Sequence, residues 1–292
     1  MSNNEQSDSA TNITSSLNNK QNPYPKHIYD SRRIQLATEL IQKEMRKLFP
    51  SAPQNAWSFI DTDISHWPDG GKLFHLESTK IQDFWDAFDA ILGGIKLKPL
   101  FIAHITAANY SWNKRTLDPA TITSSSILDQ LKGLPFVPEN DNHFLFADAK
   151  EYFTGNPHIK AQQLLINNEH SKDPVQDKYP IIAIEKDERI VVLDGNRRTL
   201  RAILQDSPTI EAWVAKTDGQ APRDYWMPVN HMMSLVFSYK NAVKEGGFAE
   251  AAAYKSVLKS WFEQSEVAKI SYTRRVKGQN HKLADELSDG LL

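Results

Sequence analysis

The chain has no cysteine. That excludes disulfide staples, thiolate nucleophiles and cysteine-ligated zinc, and it fits a reducing compartment. Long apolar runs are missing as well. No stretch approaches the ~18 consecutive apolar residues of a membrane helix, and there is no charged-then-apolar leader. A cytoplasmic protein without membrane contact is therefore expected. Neither sign of charge is in excess: 34 Lys and Arg face 36 Asp and Glu, for a formal net charge of −2. This balance argues against whole-surface attraction to nucleic acid or membrane. The nine histidines include no His-x-x-x-His pair, so no metal site caged by the protein's own side chains is expected. No Gly-x-x-x-x-Gly-Lys-Ser/Thr run occurs, which rules out a Walker-type nucleotide site.

A 40% hydrophobic fraction is ordinary for a globular protein, and the length allows one large domain or two modest ones. Residues 1–25 are mostly Ser, Asn, Gln, Thr and Asp; they have too little to bury to offset their ordering entropy, so a disordered tail is expected. Residues 26–135 are expected to be mixed, mainly helical. Ile34, Ala37, Ile41, Met45 and Leu48 recur at helical spacing, as do Ile81, Phe84, Trp85, Phe88, Ile91 and Leu92. Residues 57–72 read as a turn-rich loop and Leu100–Ile105 as a buried strand containing His104. Ser124–Gly133 reads as a short helix, and Pro135–Asn142 as a linker. The region 217–292 is expected to be helical, with Met232, Leu235, Val236 and Tyr239 on one face and Phe248–Phe262 in a second helix.

One stretch organises the rest: Ile190-Val-Val-Leu-Asp-Gly-Asn-Arg-Arg-Thr-Leu-Arg-Ala-Ile-Leu204. Four apolar, mostly β-branched residues read as a buried strand. Asp194-Gly195 then breaks the chain in a turn. Beyond it Leu200, Ile203 and Leu204 recur at helical spacing. A helix that starts directly after a strand and a glycine offers backbone N–H groups and the positive end of its dipole to an anion. Arg197 and Arg198 add guanidiniums able to donate to phosphate oxygens. A strand–turn–helix with solvated arginines and a turn-forming Asp accounts for the same residues without any ligand.

Pro180–Ile184, the charged hairpin Glu185–Arg189, Ile190–Arg198 and Ala202 together resemble the ParB/sulfiredoxin-like nucleotide-binding domain. The resemblance covers roughly residues 140–216. Phe144–Phe146 would be its first strand, Ile159–Ile166 a helix, residues 167–177 a surface loop, and Thr209–Ala215 a further strand. It implies an α+β fold with a small central α/β domain between helical N-terminal and C-terminal regions. It also implies that Gly195, Asn196, Arg197 and Arg198 contact nucleotide phosphates. Sulfiredoxins carry a catalytic cysteine in this turn, so the cysteine-free chain is no peroxiredoxin reductase. Partition proteins carry Gly-Glu-Arg-Arg-x-Arg and a downstream Glu-Asn-Leu-Gln-Arg-like motif. Here Asn196 replaces the Glu, Leu200 the third Arg, and no second motif follows Val214.

The resemblance implies a bound nucleotide, CTP or ATP with Mg²⁺, that is held only, hydrolysed, or used for phosphate transfer. Asp194 adjoins the cradle and is the candidate catalytic carboxylate. The alternative is a DNA-associated plasmid, phage or mobile-element module without chemistry of its own. Residues 255–282 carry seven Lys and Arg against two Glu, and Arg274, Arg275 and Lys277 are the candidate nucleic-acid contacts. The partners expected are a nucleotide, DNA in the alternative, and a second copy of the chain as a homodimer.

Overall fold

Ile190–Leu193 is extended within β4 (Arg189–Asp194). It pairs antiparallel with β3 (Ile181–Lys186). Asp187 and Glu188 close this hairpin at φ 50° and 63°, the two positive angles of a type I′ turn. The computed structural model describes residues 23–48, 78–95, 99–124, 131–138, 143–157, 179–277 and 281–292.

Three further strands complete a mixed sheet: β1 (Tyr110–Leu117), β2 (Ile122–Ser124) and β5 (Ile210–Thr217). Their order is β1-β5-β3-β4-β2. β5 runs parallel to β3 and β2 parallel to β4, while β1 is antiparallel to β5. Both edge strands therefore come from residues 110–124, so the sheet reaches beyond the 140–216 interval.

The central strands are buried on both faces, and their period of two sorts side chains between two cores. Ile182, Trp213 and Ala215 join α1 (Ser31–Leu48), α2 (Ser78–Asp89) and α3 (Pro99–Thr106) on one face. Ile181, Ala212 and Val214 join α4 (Phe146–Gly155) and α5 (Asn196–Leu204) on the other. A third core lies among α6 (Val229–Lys244), α7 (Phe248–Gln264), α8 (Glu266–Ser271) and α9 (His281–Ser288), built on Met232, Leu235, Val236, Leu258 and Tyr272. With nine helices and one five-stranded sheet among the described residues, the chain is α+β.

Two local strand expectations differ from the structure. Leu100–Ile105 is not a strand but lies in α3, where Thr106 Oγ1 donates to the Ile102 carbonyl at 2.6 Å. A short run whose lone polar residue is His104 shows neither period, and a proline at the first position suits a helix. Phe144–Phe146 is reduced to a single bridge, Thr123 to Leu145, because α4 begins at Phe146. β1 and β2 had no counterpart in the sequence expectations. The tail expected over 1–25 is shortened, because Tyr24 is buried in the core with α1 and α2. Residues 1–22, 57–72, 125–130, 159–166 and 167–177 lie outside the described residues. No helix among the described residues is long and apolar enough to cross a membrane.

Candidate functional site

β4 ends at Asp194, and Gly195 turns the chain with φ 118° and ψ 13°. A Cβ at this position would stand 2.5 Å from Ile181 Cγ2 and 2.9 Å from Ile181 Cβ. Backbone angle and space both demand glycine. α5 starts immediately afterwards, and Gly195 brings no side chain to cap it. Thr199 binds back to the Gly195 carbonyl through its N–H at 2.9 Å and its Oγ1 at 3.2 Å.

Asp194 is gripped by two cations. Its Oδ2 is paired with Lys43 Nζ from α1 and accepts from Arg198 Nη2 at 3.0 Å. Lys43 is 5% exposed and also lies 3.8 Å from Glu44 Oε1. One oxygen of the carboxylate is thus held by both an ammonium and a guanidinium. This arrangement suits anchoring better than proton transfer.

Arg198 is similarly engaged. Its Nη1 donates to the carbonyl oxygens of Tyr179 and, at 2.9 Å, Pro180. The side chain latches the lead-in to β3 onto the end of β4. Arg197 differs: it is exposed, with no hydrogen bond or ion pair among the described residues.

Asn196 turns inward and is 9% exposed. Its Oδ1 accepts from Ser124 Oγ at 3.2 Å, and His143 Nδ1 lies 2.7 Å from the Ser124 carbonyl. A carbonyl only accepts, so Nδ1 carries the proton of this contact. Because β2 and β4 are parallel, Ser124 and Asp194 finish at the same end of the sheet. The carboxyl ends of parallel strands are where open α/β sheets receive ligands. Lys43, Ser124 and His143 had no sequence signal, since each reaches the turn through tertiary packing.

Beside α5 runs an open groove of about 330 Å³ with Arg198 at one end. Among the described residues no group of His, Asp or Glu could hold a metal ion.

The basic C-terminal run is split. Arg274 is exposed, 5.8 Å from the Tyr24 ring centre. Lys277 pairs with Asp285 at 2.8 Å. Arg275, 4% exposed, is buried, which removes it from any surface nucleic acid could reach. It pairs with Asp86, approaches Asp89 at 3.7 Å, donates to the Met227 carbonyl at 3.1 Å and stacks 4.8 Å over Trp226. Burial pushes the Asp86 carboxyl up to about 6, against the pull of Arg275. It raises Asp89 too, and lowers Arg275.

Comparison with protein-family models, with curated proteins and with solved structures finds no match to this chain.

Proposed function

We propose that the chain is a nucleotide-binding protein of the ParB/sulfiredoxin-like kind and holds a triphosphate at the Gly195 turn. The observation that carries this reading is the left-handed glycine opening α5 without a side-chain cap, beside an exposed Arg197 that has no hydrogen bond or ion pair among the described residues. Backbone N–H groups and the helix dipole favour an anion there, and the guanidinium adds a bidentate donor. Asp194, Lys43 and Arg198 serve as the frame that fixes the turn. With Asp194 Oδ2 already shared by two cations, Mg²⁺ would arrive on the phosphates rather than on this carboxylate. Hydrolysis or phosphate transfer would then draw on positioning and charge neutralisation.

The test is thermal shift and calorimetric titration of the full chain with CTP, ATP, GTP and ADP plus Mg²⁺. A ligand at 100 times its dissociation constant should stabilise the protein by about 2.7 kcal/mol. Arg197→Ala should weaken triphosphate binding about 10-fold or more, the worth of one charge-assisted hydrogen bond, with unchanged melting temperature. Equal affinity in wild type and Arg197→Ala, or no binding of any nucleotide, refutes the proposal.

A further inference from the structure

From the groove along α5 we infer a nucleoside subsite, lying end to end with the phosphate turn; this rests on phosphate binding at Gly195. One wall is a single face of the helix, Arg198, Arg201, Ala202 and Gln205, and the other includes Ser207 and Thr209 on the way into β5. From Arg198 to Gln205 the wall rises seven steps, about 10 Å at 1.5 Å per residue, the length of a nucleoside. The volume of about 330 Å³ falls within the range of small-ligand sites.

The lining chemistry fits the same occupant. Ser207 and Thr209 offer hydroxyls and Gln205 an amide, groups that pair with ribose hydroxyls and base edges by donating or accepting. Ala202 keeps the helix wall low, leaving room for a flat ring. The walls are pre-formed: Gln205 N donates to the Arg201 carbonyl at 3.0 Å, and Ser207 N to the Ala202 carbonyl at 2.9 Å. Arg198 joins the two subsites, because it lines the groove and also binds Asp194 at the turn. A triphosphate at the start of α5 would therefore direct its sugar and base along the helix.

The full chain is titrated with tripolyphosphate, ATP and CTP, as wild type, Ala202→Trp and Thr209→Trp. Thr209 is exposed, so its replacement fills the groove without entering the core and tests the inference even if Ala202→Trp fails to fold. Wild type should bind one nucleotide at least 10-fold more tightly than tripolyphosphate. Both groove variants should lose that margin and keep their tripolyphosphate affinity. A wild type that binds tripolyphosphate as tightly as either nucleotide overturns the subsite, as does a margin that survives in Thr209→Trp. Wild type that binds neither tripolyphosphate nor nucleotide overturns the phosphate turn and, with it, the subsite.

Discussion

Gly195→Ala separates two costs that the turn imposes. The first is conformational: at φ 118° an L-residue sits outside its favoured regions, worth about 1–3 kcal/mol. The second is steric. The new methyl would stand 2.5 Å from Ile181 Cγ2 and 2.9 Å from its Cβ, and Ile181 is fully buried on the α4–α5 face of the sheet. Forcing that much overlap into a packed core costs about 1–3 kcal/mol more. Gly195→Ala should therefore lose about 2–6 kcal/mol, a large part of a typical domain's stability. Urea titration followed by circular dichroism should report it as a lower midpoint with an unchanged slope.

Ile181→Ala divides the two costs. Alone it should lose about 2–5 kcal/mol through the cavity it leaves. In the double variant the Cγ2 overlap is gone, whereas the Cβ contact and the backbone angle remain. The double loss should fall short of the sum by about 1–2 kcal/mol, a coupling well above the additivity error. A Gly195→Ala protein within 0.5 kcal/mol of wild type, or strictly additive losses, would refute the steric account.

Arg198→Ala should destabilise the protein by about 3–5 kcal/mol without any nucleotide present, since it strips partners from Asp194 and two backbone carbonyls in a largely buried setting. Arg198→Lys should recover only part of this, because one ammonium cannot span three acceptors; chemical denaturation checks both, and a silent Arg198→Ala would show that the latch carries nothing. At Asp86 the native carboxyl titrates at about 6 rather than 3.8, so the native state binds more protons than the unfolded chain between those values. Its contribution to stability falls as pH rises through that window and is flat above it. The side chain is 34% exposed, and solvent screening holds the effect to about 1 kcal/mol. Melting curves of wild type and Asp86→Asn from pH 4 to pH 7 should differ by a pH-dependent amount, and a constant offset would contradict the assignment.

The β3–β4–α5 segment was legible because its determinants are local. Ile190–Leu193 is β-branched and apolar, Asp194–Gly195 breaks it, and Leu200 and Ile203 mark the buried face of the helix that follows. Where interactions are distant, the sequence is silent. Nothing near Lys43 announces a carboxylate 151 residues away, and Ser124 gives no sign that it meets Asn196. Arg275 sits in a run of basic residues, where surface exposure is the ordinary expectation. Its burial follows from Asp86 and Asp89 one turn apart on α2. α3 is not legible because His104 is the lone polar residue of Leu-Phe-Ile-Ala-His-Ile, too little to reveal a period. β1 carried a faint signal, Tyr110 and Trp112 buried on either side of exposed Ser111, masked by the polar residues after it.

The chain between 110 and 124 supplies both outer strands of the sheet, and this bears on how the molecule can be dissected. It works as a clasp, closing one side with β1 and the other with β2. A fragment limited to 140–216 would leave β5 and β4 as open borders with unpaired N–H and C=O groups. It would also lay bare Ile182, Trp213 and Ala215, which α1, α2 and α3 cover in the intact protein. Open borders beside exposed apolar side chains invite strand addition from neighbouring molecules. Such an excised fragment would precipitate rather than fold, and deleting the 110–124 segment would free both borders at once.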